Sequence, residues 1–91
     1  MIKLNQQEID LEKVAPRNSK MVLAYIEAGI KPQKDETWYG DIFSSMLYTY
    51  KILSVEPKQR FGSDNFLCEV EIFGPSGKLV EKTRRWWDQF I

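Results

Sequence analysis

The stretch Phe66-Leu67-Cys68-Glu69-Val70-Glu71-Ile72-Phe73, followed by Gly74-Pro75-Ser76-Gly77, decides how this chain folds. Phe66, Cys68, Val70 and Ile72 alternate with Leu67, Glu69, Glu71 and Phe73, and a period of two marks a strand with one wet face. The first set is expected to point to the core. Pro75 and Gly77 take positions that a type I turn favours, so Lys78–Arg85 should pair back on Phe66–Phe73 as a hairpin. Residues 86–91 then close the domain as a single turn or a tail.

Upstream, the texture is also one of short strands. Trp38–Phe43, with Gly40-Asp41 inside it, reads as a strand with a bend or bulge. Tyr48–Val55 is rich in aromatic and β-branched residues, and Glu56-Pro57 is a natural stop. Lys58–Asn65 is polar, with Gly62-Ser63-Asp64-Asn65 as turn material.

The first third reads as helix. Asn18 or Ser19 can cap a body running Lys20–Ala28, and Gly29 sits where a left-handed residue ends a helix. Ile30 can fold back toward Tyr25, and Pro32 forbids continuation. The apolar run Met21–Ile26 alone also fits a buried strand, and the start and stop signals select helix. Ahead of it, Asn5 and Glu8 match a capping pattern, with Ile9, Leu11 and Val14 on a ragged apolar face before Pro16. The same region, with Ile2 and Leu4, fits a short strand or an arm, and all three readings stay open. The expectation is a single α+β domain over residues 1–91. Residues 1–30 form one or two short helices, and residues 37–91 a strongly bent antiparallel sheet or SH3-like barrel of four to five strands.

Gly40-Asp41-Ile42-Phe43, then Tyr50-Lys51-Ile52-Leu53-Ser54-Val55, resembles the opening of SH3-like small barrels, where a Gly-Asp bend precedes the first long hairpin. The similarity covers roughly residues 38–91. It is to a fold, and it assigns no functional residue.

Composition narrows the function classes. The 91 residues carry thirteen cations and thirteen anions, and the hydrophobic and charged shares of 43% and 29% are those of a globular domain. The balance holds locally, with six cations and seven anions in residues 1–45 and seven and six in residues 46–91. A protein that gripped duplex DNA or an anionic membrane would be more basic, so a nucleic-acid role needs a local patch. No apolar run suggests a leader or a membrane span. With Cys68 as the sole cysteine there is no internal disulfide, which fits a reducing compartment and a cytoplasmic location.

The catalytic signals are thin. With no histidine, a Ser–His or Cys–His nucleophile is excluded, and one cysteine without histidine cannot furnish a structural zinc site. No phosphate-binding loop is present, and no cofactor or metal is expected. Cys68, on the inward set of its strand, reads as a small, unreactive hydrophobe. Glu69 and Glu71 share a strand face about 7 Å apart, which suits acid/base chemistry in principle. Their simpler role is to face Lys78, Lys82 or Arg84 across the hairpin. Trp38 and Tyr39 are expected to pack inward.

The binding signal is dense by contrast. Lys82–Phe90 holds three cations and two of the three tryptophans, and Arg and Trp are the residues that most often anchor interfaces. Regular alternation gives Val80, Lys82, Arg84 and Trp86 one face, and Leu79, Glu81, Thr83, Arg85 and Trp87 the other. One tryptophan is expected to plug the core. The candidate partner-binding set is Arg60 and Phe61 from the loop before the clear strand, with Lys82, Arg84, Arg85, Trp86 and Trp87. If the fold brings this loop beside Arg84 and Arg85, the two signals reinforce each other.

The function expected from this profile is a non-enzymatic protein-binding module, an inhibitor, adaptor or accessory subunit of the size common among phage and mobile-element products. The alternative is a small barrel that binds single-stranded nucleic acid by stacking beside a basic patch. A histidine-free, toxin-like ribonuclease is the third reading. Met21–Ile26 must be covered, by the sheet or by a second copy in a homodimer.

Overall fold

The alternation at Phe66–Phe73 becomes the middle of a four-stranded antiparallel sheet with strands in sequential order. The computed structural model describes residues 10–40, 42 and 47–90. The strands are β1 Thr37–Tyr39, β2 Thr49–Arg60, β3 Ser63–Phe73 and β4 Leu79–Trp86. Phe66, Cys68, Val70 and Ile72 are all buried, and the sheet curls around them as a half-barrel. One α-helix, α1 at Ser19–Glu27, packs against β3 and against a 3-10 turn at Trp87–Gln89.

β2 runs longer than the sequence suggests. The strand does not stop at Glu56-Pro57 but continues to Arg60, with Pro57 paired to Phe66. Beyond Ile52 no described strand lies along the far edge of β2, so a residue without an N–H forfeits no ladder bond on that side. A bulge between Ile52 and Ser54 explains the side-chain pattern. Before it Tyr50 and Ile52 face inward; after it Val55 and Pro57 lie opposite Cys68 and Phe66. The extra residue turns Ser54 and Glu56 out to solvent and sharpens the local twist, which helps the sheet curl.

The expected turn at Gly62–Asn65 is tighter and sits earlier. Arg60 pairs with Ser63, leaving only Phe61 and Gly62 between the strands. Both have positive φ, at 52° and 78°, which is the type I′ geometry whose twist matches a hairpin. The Gly74–Gly77 turn forms as expected, with Gly77 N–H donating to Gly74 C=O at 2.9 Å.

Both ends of α1 follow the sequence. Asn18 is the N-cap, its side chain accepting from Met21 N–H at 3.0 Å. Gly29 adopts φ 81°, and the Gly29 and Ile30 amides donate to Ile26 and Tyr25 carbonyls. That paired closure is a Schellman motif, and the left-handed residue it needs explains the glycine. The Met21–Ile26 run faces the protein's own core: Val22 is buried, and Tyr25 and Ile26 pack against the central cluster.

The N-terminal expectation is corrected in part. α1 is the one α-helix among the described residues. Residues 11–13 form only a short 3-10 turn capped by Asp10, with Leu11 67% exposed, and Val14 instead bridges Tyr39. A three-residue segment between Asp10 and Pro16 has too few hydrogen bonds to propagate a helix. Asn5, Glu8 and Ile9 lie outside the described residues, as do Asp41 and Phe43 of the proposed bend; Gly40, which belongs to it, donates to Tyr48 C=O at 2.9 Å.

The core is aromatic. Trp87 is fully buried, with its ring edge-on to Tyr25, Trp38 and Phe66 at centroid distances of 5.5, 5.0 and 5.6 Å. Phe90 stacks on Tyr50 at 4.5 Å. Trp38 enters from β1 as expected, its indole N–H donating to Glu36. Glu36 also pairs with Lys13 and so ties the N-terminal turn to the sheet. No described helix is long and apolar enough to cross a membrane.

Candidate functional site

The curl of the sheet brings the tip of the β2–β3 hairpin against the end of β4. The Arg60 guanidinium lies 5.0 Å from the centroid of Phe61 and 5.7 Å from that of Trp86. Loop and C-terminal cluster, separate in the sequence, thus form one patch. Arg60 donates to Asp88 at 2.7 Å, and the second oxygen of that carboxylate accepts from the Ser19 hydroxyl at 3.0 Å. Asp88 is buried, so the ion pair and hydroxyl together supply the partners that a buried carboxylate needs. Arg60 is therefore both a surface cation and a clamp joining β2, α1 and the C-terminal turn.

Phe61 is the outlier. It is 89% exposed and holds φ 52°, a conformation that a bulky side chain adopts only at a cost. Hairpins with this turn usually place Asn or Asp where Phe61 stands. The ring covers one side of Arg60 and little else.

The remaining predicted residues divide. Trp86 is half-buried beside Arg60, while Trp87 points inward and serves as the centre of the core. The two part because β4 ends at Trp86 and the chain turns across the open face of the sheet. Lys82 and Arg84 are exposed on the outer face, directly opposite Glu71 and Glu69. Arg85 lies on the inner face opposite Cys68 and contacts Glu81 at 3.5 Å. On the outer face Lys51, Glu71 and Lys82 alternate in charge along one row, and in the next the neutral Ser54 precedes Glu69 and Arg84. The two glutamates thus face cations, as their spacing suggested.

Sequence reasoning missed Asp88, whose role depends on Arg60 and Ser19, far away in the chain. It also missed the hollow beside β4. That depression of about 270 Å³ is lined by Tyr48, Tyr50, Ile72, Val80, Glu81 and Arg85. An excess of apolar over charged residues at Leu79-Val80, on a strand otherwise polar, was the available signal. A second groove of about 350 Å³ lies between Ile26 and the hairpin arm at Pro57–Gln59 and Asp64–Phe66. The Asn65 amide beside it is sealed from solvent with its Nδ2 unpartnered among the described residues, and its oxygen accepts from Phe66 N–H.

Cys68 is fully buried, and burial pushes its thiol from the usual 9.0 up to about 12. A thiol held neutral in this way is a packing group and no nucleophile at neutral pH.

No protein-family model, curated protein or solved structure matches the chain.

Proposed function

We propose that the chain is a small SH3-like half-barrel that works as a protein-binding module, an inhibitor, adaptor or accessory subunit of the kind phages and mobile elements encode. It acts in the cytoplasm, where a lone buried thiol stays reduced, and it catalyses no reaction. Its contact surface is Phe61, Arg60 and Trp86, flanked by Lys82 and Arg84. The observation that carries this reading is Phe61: an aromatic ring held out in solvent, on a strained backbone, with no internal contact but the one with Arg60 to recommend it. Strain of that kind persists where function selects the residue. A rigid aromatic beside an arginine and an indole has the composition of an interface anchor.

A protein suits this surface better than a nucleic acid does. The chain carries net charge +0, and Lys82 and Arg84 each face a glutamate, so no continuous cationic track accompanies the rings. The test is to replace Phe61 with p-benzoylphenylalanine and irradiate in the native host. A single protein adduct that disappears when Trp86→Ala is added supports the proposal. An adduct made of RNA or DNA, or none at all, overturns it.

A further inference from the structure

We infer that β4 receives an acidic β-strand from the partner, extending the sheet; this rests on the protein-binding reading above and specifies how the partner is held. β4 is eight residues long and, among the described residues, pairs only with β3. An antiparallel strand directs the N–H and C=O of every second residue away from its neighbour, so β4 presents a row of donors and acceptors along its outer edge. Strand addition to such an edge is a recurrent mode of peptide recognition.

The charge rows say what the incoming strand must carry. On the outer face the order from β2 is Lys51, Glu71, Lys82, and in the next row Ser54, Glu69, Arg84. Each row ends on a cation at the open edge. Opposite charges directly across strands attract and like charges repel, so carboxylates belong opposite Lys82 and Arg84.

The inner face says the rest. Tyr50, Ile72 and Glu81 form one cross-strand row, and the hollow beside it is walled by Tyr48, Tyr50, Ile72 and Val80, with the paired Glu81 and Arg85 closing its charged side. A guest residue opposite Glu81 reaches over that hollow, and Val80, 60% exposed at its rim, offers it apolar surface. For an antiparallel guest the pattern reads acid, any residue, acid, apolar. β3 itself satisfies the other edge of β4 with that pattern, as Glu69-Val70-Glu71-Ile72 lies opposite Arg84, Thr83, Lys82 and Glu81.

A second copy of this chain does not fit. Antiparallel self-pairing about Thr83 sets Lys82 against Arg84, and pairing about Lys82 sets that cation against itself. The same cations that guard the edge against its own kind admit an acidic strand, which gives the site its specificity.

The probe is a fluorescein-labelled peptide bearing Glu-Val-Glu-Ile in the order of β3, with a control in which both glutamates are lysine. Binding of the acidic peptide, at least about tenfold tighter than the control and weakened by salt, is expected. Hydrogen exchange should show the fast-exchanging half of the β4 amides becoming protected when peptide binds. A Lys82→Gln/Arg84→Gln variant with an unchanged circular dichroism spectrum should lose the preference for acid. No binding, equal binding of the control, or binding without protection of β4 overturns strand addition. If that happens while the Phe61 adduct persists, the binding module stands and its partner is held elsewhere; loss of the adduct removes the parent reading independently.

Discussion

Replacing Phe61 with Asn separates the cost of this residue to the fold from its use. The substitution creates the Asn-Gly pair that the turn geometry favours. Relief of the left-handed strain on a bulky residue is worth about 1 kcal/mol. Against it stands the Arg60–Phe61 contact at 5.0 Å, where an exposed cation–π pair is worth ~0.5 kcal/mol. Burial adds little. With 89% of Phe61 exposed, about 20 Å² of a ring of ~200 Å² is covered, worth ~0.5 kcal/mol. The terms cancel to within ~0.5 kcal/mol, so the melting temperature should stay within about 3 °C of wild type. Partner affinity should fall by ~2 kcal/mol or more, about thirtyfold, if the ring is an interface anchor. Thermal melts followed by circular dichroism, with quantified adduct or binding yields, supply both numbers. A loss of ~2 kcal/mol in stability would show that Phe61 holds the tip together and would refute the argument that it is kept for contact.

Four further outcomes follow from the packing. Asp88→Asn should cost ~2 kcal/mol in urea unfolding: it strips the carboxylate from Arg60, and that guanidinium retains some solvent, which keeps the loss below that of a sealed pair. Asn18→Ala should cost ~1 kcal/mol by the same assay, through loss of the bond to Met21 N–H. For Cys68, the folded state holds the thiol neutral up to about 12, whereas the unfolded thiol ionises above 9.0. Its contribution is therefore complete below pH 9 and declines as pH rises toward 12. The stability gap between wild type and Cys68→Ala should narrow by ~1.4 kcal/mol between pH 8 and pH 10. In the native state at pH 8 the thiol, sealed from reagent and held neutral, should react with iodoacetamide far more slowly than it does after unfolding in urea.

What could be read from the sequence was whatever is encoded locally. The caps of α1 lie within three residues of the helix ends, and the alternation of β3 needs no knowledge of its partners. The Gly74–Gly77 turn and the return of β4 are equally short in range. The rest is set at a distance. Pro57 stops a strand only if a neighbour needs its N–H, and no sequence feature shows that this edge of β2 is bare. The bulge after Ile52 reverses the parity of the strand, which hid Val55 among polar residues. Trp86 and Trp87 are identical in composition; the end of pairing with Leu67 decides which of them turns inward. Arg60 and Phe61 were picked out as cation beside aromatic. Their junction with Trp86 and Asp88 is a product of the curl.

Trp87 and Phe90 have a consequence for how the polypeptide comes to be folded in the cell. The indole that three other rings meet, and the ring that covers Tyr50, are both made after the four described strands have been synthesised. A nascent chain that has delivered β1 to β4 clear of the ribosome still exposes Tyr25, Trp38 and Phe66. Its interior can lock only when residue 90 emerges from the ribosome. Closure of this core therefore waits on the residues that follow β4, and a ribosome that stalls before Trp87 should leave an open, sticky sheet for chaperones and proteases to handle.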